Sequence, residues 1–166
     1  MAHDKPQQGK PDDVEVSIDG VEVTPLRYFN DDRGWLTEVF RNDEISVIPA
    51  MAYVSQTHPG VARGPHEHRD QTDIFVFMGP STFRVYLWDN RPGGATEGQE
   101  MRFDVGVDSP ARVVVPPGVV HAYKNIGPGE GLVLNCPDQL YAGKGRQEPV
   151  DEIRWEEDTS GRFSLD

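Results

Sequence analysis

The sequence predicts a single-domain, all-β protein built from short antiparallel strands. The chain has 166 residues, enough for one domain with a substantial core. Its 17 glycines and 14 prolines supply turn signals at short, regular intervals, and the segments between them lack a convincing helical period. Regularly spaced turns between β-rich segments are typical of a closed or sandwiched antiparallel fold.

The N-terminal third contains the less regular elements. Residues 1–15 are polar and rich in proline, glutamine and aspartate, which predicts a disordered tail and leaves 16–166 as the domain. The segment 14–23 alternates apolar and polar residues, and a strand pattern at 35–40 follows a polar turn. We expect one short helix over 42–50.

From residue 53 onward, strands and turns alternate. Turn signals such as Pro116-Pro117-Gly118 separate runs that are rich in β-branched and aromatic residues. The charged tail from Tyr141 to Asp166 is expected to form a short helix or an irregular cover. The predicted strands are Tyr53–Thr57, Ala62–Glu67, Asp73–Met78, Ser81–Asp89, Glu100–Val105, Ala111–Val115, Ala122–Asn125 and Gly131–Asn135.

Charge and composition exclude several classes of partner. The formal net charge is −12, so the surface repels nucleic-acid phosphates and anionic lipid. Neither a signal-peptide core nor an apolar run long enough to span a bilayer is present in the sequence. The lone Cys136 lies in an apolar run and is expected to be a core residue. We therefore expect a cytoplasmic protein that binds neither nucleic acid nor membrane.

Three histidines and one aspartate carry the strongest chemical signal. Strand alternation places His66 and His68 on one face, with Glu67 on the other. A turn after His68 returns the chain so that Asp73 can reach the same pocket, and His121 follows the Pro-Pro-Gly turn. Three imidazoles and a carboxylate are a reasonable ligand set for a divalent transition metal.

These stretches resemble the two signature motifs of the cupin superfamily. Asp73 stands where the first motif usually has glutamate, and Gly79 arrives one residue early. The second motif lacks its leading glycine. The resemblance implies a cupin jelly-roll β-barrel with short peripheral helices. The matching positions are Gly60, His66, His68, Pro116, Gly118, His121 and Asn125.

Within the cupins, the chain resembles the dTDP-4-dehydrorhamnose 3,5-epimerase family. The likeness runs from Phe29 to Trp155, and the order and spacing of its pieces carry it better than any single piece. The similar segments are Asp31-Asp32-Arg33-Gly34-Trp35-Leu36-Thr37-Glu38-Val39-Phe40, Ala62-Arg63-Gly64-Pro65-His66, Pro116-Pro117-Gly118-Val119-Val120-His121-Ala122-Tyr123 and Ile153-Arg154-Trp155.

The family resemblance implies a substrate and a set of roles. The substrate is a nucleotide-linked 4-keto-6-deoxyhexose, whose ketone acidifies the protons on the neighbouring carbons. His66 corresponds to the base that removes such a proton, and Arg63 to an arginine of the active site. Arg33 and Glu38 match residues that reach the nucleotide across a dimer interface, which implies a homodimer.

The chain departs from the family at the remaining catalytic positions. Asp73 replaces an active-site lysine, and the usual proton-donating tyrosine aligns near Leu134. Tyr141, Tyr123 or Tyr86 could substitute for that tyrosine, and we take Tyr141 as the candidate catalytic residue. The aspartate that pairs with the base in the family has no counterpart before residue 166. We therefore consider that Asp73 orients His66.

Three functions remain open from the sequence. In the first, the site needs no cofactor, the enzyme epimerises a nucleotide-linked keto sugar, and His68 and His121 contact the substrate. In the second, one divalent transition metal (Ni, Mn, Fe or Zn) is held by His66, His68, Asp73 and His121 in a metal-dependent isomerase or oxygenase. In the third, the protein is a non-catalytic, sugar-binding cupin.

Overall fold

The computed structural model describes residues 14–165, and the all-β prediction is confirmed within them. The predicted tail at 1–15 therefore falls largely outside the described residues. The strands are β1 (Glu22–Pro25), β2 (Phe29–Asp31), β3 (Gly34–Leu36), β4 (Tyr53–Thr57), β5 (Ala62–Glu67), β6 (Asp73–Phe77), β7 (Thr82–Asp89), β8 (Glu100–Gly106), β9 (Ala111–Val115), β10 (Val119–Asn125), β11 (Gly131–Asn135) and β12 (Ile153–Arg154), with 3₁₀ turns at Lys144–Arg146 and Trp155–Glu157.

Two five-stranded antiparallel sheets face each other, and a short hairpin of β2 and β3 stands apart. Sheet I has the strand order β1-β9-β6-β11-β4, and sheet II has the order β12-β5-β10-β7-β8. Within the described part of the chain, the two hydrogen-bonded sheets do not close into one continuous ladder. The result is a flattened barrel in which β1 and β4 are the edge strands of sheet I, and β12 and β8 are those of sheet II.

The core fills one end of the space between the sheets. Side chains alternate along each strand, so one face of every central strand points inward. Phe77 from sheet I and Phe83 and Leu87 from sheet II are fully buried there. Fully burying a side chain of this size stabilises the fold by about 1.5–3 kcal/mol. This apolar packing fixes the distance between the sheets.

Asn125, from the second sequence motif, is a structural residue at this closed end. Its side-chain Nδ2 donates to the carbonyl oxygens of Thr57 (2.9 Å) and Gly129 (2.8 Å). Its Oδ1 accepts from the Ser81 hydroxyl (2.6 Å) and the Gly127 N–H (3.1 Å). The amide thus uses both donors and both lone pairs to hold three turns together.

The segment after residue 150 covers the outer face of sheet II, as an irregular cover. Trp155 packs against a cluster that includes Tyr86 and Trp88, and its indole N–H donates to Glu67 at 2.7 Å. The Asp151 carboxylate accepts the backbone N–H groups of residues 69–71. These contacts anchor the segment directly behind the strand that carries His66.

The short helix predicted over 42–50 is wrong, because the described chain forms only turns there. The strand predicted at 35–40 is also shorter, since β3 ends at Leu36. Instead, Phe40 and Ile45 pack over the outer face of sheet I, where Cys136 is buried as expected. The apolar residues of this segment pack on sheet I as an irregular cover, so they need no helical spacing.

Two aspartate–arginine pairs contrast in their exposure. Asp89 accepts from Arg91 at 2.7 Å and from the Thr96 hydroxyl at 2.5 Å, and its side chain is 0 % exposed. The hydrogen bond from Arg91, acting against the cost of burial, lowers the pKa of Asp89 to about 2. Asp104 pairs with Arg84 at 2.8 Å on the surface, with its side chain 43 % exposed.

Candidate active site

The open end of the space between the sheets is a cavity of about 1020 Å³. Tyr53 and Asp73 line it from sheet I, and His66 and His121 line it from sheet II. The connection 137–150 forms much of its mouth. A cavity of this size can hold a ligand the size of a sugar nucleotide.

His66 is fixed by carboxylates from the segment after residue 150. Arg154 of β12 pairs in register with His66 of β5, so the residues around it reach the imidazole. The Nε2 of His66 lies 2.8 Å from Glu156 Oε1, and its Nδ1 lies 3.6 Å from Glu152 Oε1. Because a carboxylate can only accept, Nε2 carries the proton and Nδ1 is left with the lone pair.

Asp73 is the centre of a separate, buried polar cluster. Its Oδ2 lies 3.0 Å from His68 Nε2 and 3.3 Å from His121 Nε2. Its Oδ1 accepts from the side-chain amides of Gln71 and Asn135, both at 2.9 Å. All of these contacts are made with the Asp73 side chain only 1 % exposed. The expected pairing of Asp73 with His66 is therefore not formed.

The pKa values of the two histidines in this cluster are shifted in opposite directions. Burial disfavours the charged form of His68, but the hydrogen bond and charge of Asp73 outweigh it and raise the pKa of His68 to about 9. Burial dominates at the fully enclosed His121 and lowers its pKa to about 4. The Asp73 carboxyl is itself buried, yet its imidazole partners keep its pKa below the usual value.

Three of the four predicted metal ligands come together, and the donor set fits a divalent metal. The facing nitrogens of His68 and His121 and an oxygen of Asp73 lie within 4.8 Å of one another. The Nδ1 of His68 donates to the Asp151 carbonyl, and its Nε2 faces Asp73 and would have to release its proton to a bound metal, while the Nε2 of His121 faces Asp73 from the other side. His66 stands outside this group.

Arg63 and Tyr141, both predicted to be catalytic, line the cavity. Arg63 is oriented by two bonds, from Nε to the Thr57 hydroxyl (3.0 Å) and from Nη2 to the Gln56 carbonyl (2.7 Å). Tyr141 stands on the mouth loop with 56 % exposure, and its backbone N–H contacts Met51 Sδ at 3.2 Å. Arg63 is therefore held in place inside the cavity, whereas Tyr141 lies at its entrance.

Arg33 and Glu38 are not among the described residues that line the cavity. Arg33 projects from the β2–β3 hairpin with a 90 % exposed side chain and pairs with Asp31 at 2.6 Å. Glu38 accepts from Arg41 at 3.1 Å on the surface. Within one chain, both residues are separate from the histidines.

Several residues of the site were missed from the sequence. Asn135 and Tyr53 could have been predicted, because each is a polar residue at a position that strand alternation places on the inner face. Gln71 could also have been predicted, because it lies in the turn just before Asp73, whose carboxylate it contacts. The proximity of Glu156 to His66 had no such signal, because it depends on how the last segment folds back.

Comparisons with known proteins show which family the chain belongs to. The sequence profile of the family described as "Polysaccharide biosynthesis C-terminal domain" matches residues 29–145. The chain is 37 % identical over 128 residues to a probable low-salt glycan biosynthesis epimerase, Agl13, of Haloferax volcanii, covering 75 % of this chain and 81 % of that protein. It is 31 % identical to the spore coat polysaccharide biosynthesis protein SpsL of Bacillus subtilis, covering 87 % and 94 %.

Solved structures with a similar fold include a dTDP-sugar isomerase and a dTDP-sugar epimerase. A dTDP-sugar isomerase from Desulfovibrio desulfuricans superimposes with a TM-score of 0.73 at 21 % identity, covering 85 % of this chain and 87 % of that one. A dTDP-6-deoxy-D-glucose-3,5-epimerase from Legionella pneumophila, in complex with dTDP-4-keto-L-rhamnose, gives 0.72 at 18 %, covering 85 % and 75 %. The cupin jelly roll and the resemblance to the 3,5-epimerases are confirmed.

Proposed function

The chain belongs to the polysaccharide biosynthesis C-terminal domain family, and from this membership we propose that it epimerises a nucleotide-linked 4-keto-6-deoxyhexose. It is an enzyme of the isomerase class. Its Haloferax relative is described as a glycan biosynthesis epimerase, and the Legionella structure of the same fold holds a dTDP-linked keto sugar. We therefore take dTDP as the first nucleotide to test and polysaccharide assembly as the use of the product.

The position of His66 carries this proposal. The imidazole lines the cavity, while Glu156 holds its Nε2 from outside the cavity lining. With the proton on Nε2, Nδ1 keeps a lone pair, 3.6 Å from Glu152 Oε1, that can accept a proton from a carbon next to the substrate's ketone. The bond from Nε2–H to Glu156 then stabilises the imidazolium that forms. The scheme uses only side chains of this chain.

Cations at the mouth support an anionic nucleotide as the other half of the substrate. The lining also contains the carboxylates Asp73, Asp138, Glu148, Asp151 and Glu152, so the cations act as individual partners for phosphate and not as a positive field. Planar guanidinium groups bind phosphate oxygens through paired hydrogen bonds. The lining cations are Arg63, Lys144, Arg146 and Arg154.

We also propose that the enzyme works as a homodimer. Trp35 and Leu36 of the β2–β3 hairpin are 57 % and 61 % exposed, and Val54 on the open edge strand β4 is 62 % exposed. Covering these side chains in a second copy would remove apolar surface from water. The same contact would carry Arg33 and Glu38 toward a neighbouring cavity. The cytoplasmic location expected from the sequence stays a prediction.

A second candidate function is a metal-dependent cupin isomerase or oxygenase, and one contact favours it. Both ring nitrogens of His121 face oxygens, the Val119 carbonyl at 3.1 Å and Asp73 Oδ2 at 3.3 Å, and a neutral imidazole has one N–H, so one lone pair faces an acceptor. A divalent metal held by His68, Asp73 and His121 would relieve this contact and supply a Lewis acid at the cavity floor. His66 would remain available as a base.

One incubation in D₂O tests the main proposal. The protein is mixed with a panel of nucleotide-linked 4-keto-6-deoxyhexoses, starting with the dTDP-linked sugar, and the sugars are analysed by mass spectrometry and NMR. We expect deuterium at C3, C5 or both, with inversion at the labelled carbon. A panel without label in any sugar would favour the non-catalytic, sugar-binding function.

Metal analysis tests the second candidate. The protein purified without added metal is analysed for Ni, Mn, Fe and Zn, beside the variant His121→Ala. One equivalent of metal in the wild type and its loss in the variant would establish the site. A metal-free wild type that also fails to bind added Zn²⁺ or Mn²⁺ would exclude it.

A further inference from the structure

Inversion at a carbon requires a proton donor on the side opposite the base. If one group took and returned the proton on the same face, the configuration would be unchanged. In this fold the two faces of a bound sugar would meet different sheets, because the cavity lies between sheet I and sheet II. His66 stands on sheet II, so the donor is expected on sheet I.

Tyr53 lines the cavity from sheet I, whereas His66 lines it from sheet II. Tyr53 is the first residue of β4, an edge strand of sheet I. Its register partner on β11 is Asn135, whose side chain lies on the same inner face. The Asn135 Nδ2 donates to the Tyr53 hydroxyl oxygen at 2.9 Å and to Asp73 Oδ1 at 2.9 Å.

This hydrogen bond leaves the tyrosine's own proton free. An amide Nδ2 is only a donor, so the hydroxyl oxygen of Tyr53 accepts from Asn135 and its O–H can point into the cavity. The same N–H would stabilise the tyrosinate after the proton has left. Burial raises the pKa of Tyr53 to about 12, which keeps the hydroxyl protonated at neutral pH.

The other four tyrosines are placed less well for this role. Tyr28 and Tyr86 lie outside the cavity, the first bonded to the Met78 carbonyl and the second beneath the last segment of the chain. Tyr123 lies on β10, on the same sheet as His66, and its hydroxyl contacts Ser55 at 3.1 Å. Tyr141 stands on the connection at the mouth and belongs to neither sheet; it is 56 % exposed, against 45 % for Tyr53.

We propose that Tyr53 is the catalytic acid that donates a proton to the sugar carbon from the face opposite His66, an assignment that rests on the proposed epimerase function. His66 Nδ1 takes the C–H proton, and the electron pair moves onto the ketone oxygen as an enolate. The carbon then takes the proton of the Tyr53 O–H as the ketone re-forms. The tyrosinate recovers a proton, and His66 releases one, through solvent.

The conservative variant Tyr53→Phe separates proton removal from inversion. In D₂O, the wild type is expected to yield inverted, deuterated sugar. In the variant, His66 still removes the proton and returns a deuteron to the same face, so the recovered sugar carries label with its original configuration. We expect inversion to fall at least about 100-fold, the usual scale for losing a general acid. Retained labelling also shows that the variant is folded.

Matched tyrosine variants decide the assignment. Tyr86→Phe, outside the cavity, is the control and should invert at the wild-type rate. The assignment is overturned if Tyr53→Phe inverts at the wild-type rate, or if Tyr123→Phe or Tyr141→Phe alone gives label without inversion. If the wild type labels none of the sugars, the proposed function is overturned and the assignment of Tyr53 falls with it.

Discussion

Glu156 contacts the proposed base without lining the cavity, so replacing it tests the base separately from substrate binding. The Glu156 carboxylate lies 2.8 Å from His66 Nε2. In Glu156→Gln the side chain keeps its shape and can still accept a hydrogen bond, but it loses its charge. The imidazolium formed when His66 takes a proton would then be less stable, and kcat should fall.

The size of the effect follows from the distance and the exposure of the pair. Two unit charges 2.8 Å apart interact by about 1.5 kcal/mol in bulk water and by about 3 kcal/mol at half that dielectric constant. The His66 and Glu156 side chains are 23 % and 35 % exposed, so solvent screens the pair, and we take these two values as the expected range. A barrier raised by this amount lowers kcat roughly 10- to 100-fold.

Steady-state kinetics with the keto sugar identified from the panel would measure this effect. The control is Glu157→Gln, the exposed neighbour, which should match the wild type. We expect KM to change less than about threefold in both variants, because neither side chain lines the cavity. An unchanged kcat in Glu156→Gln, or an equal loss in the control, would refute the role assigned to this carboxylate.

Two further predictions concern stability. An added Cβ at Gly131 would lie 2.3 Å from the ring of the fully buried Phe83, so Gly131→Ala should lower the free energy of unfolding by about 1–3 kcal/mol, measured with urea. The control is Gly129→Ala, whose Cβ meets nothing within 4 Å and should lower it by less than about 0.5 kcal/mol. Asp89→Asn should cost about 2 kcal/mol at pH 7 because its pKa is lowered to about 2, while the exposed Asp104→Asn should cost under about 1 kcal/mol. The carboxylate's contribution should be present above about pH 4 and be lost as the pH falls through about 2.

The sequence predicted most of the strands because their signals are local. Turn residues such as Pro116-Pro117-Gly118 mark where each strand begins, and alternation correctly placed His66 and His68 on the inner face and Glu67 on the outer face. The helix prediction over 42–50 is wrong because it, too, relied on local composition alone. Local composition there does not show that apolar residues pack as an irregular cover on sheet I.

The hydrogen-bond partners of the histidines could not be predicted from local sequence patterns. The spacing of His66, His68, Asp73 and His121 suggested one cluster, but the structure separates His66 from the other three. The partner of His66 is instead Glu156 of the segment after residue 150, which lies 90 positions away in the sequence. Long-range contacts made by irregular segments leave no periodic pattern to read.

The most direct test of the central claim is the rate of deuterium uptake from D₂O into the keto sugar when His66 is replaced. His66→Gln keeps a polar side chain of similar size but cannot take up the substrate's proton. The control is His58→Gln, since His58 pairs with Glu130 on the surface at 2.8 Å. We predict that uptake falls at least about 100-fold in His66→Gln and is unchanged in His58→Gln. Wild-type uptake by His66→Gln would contradict the assignment of His66 as the base.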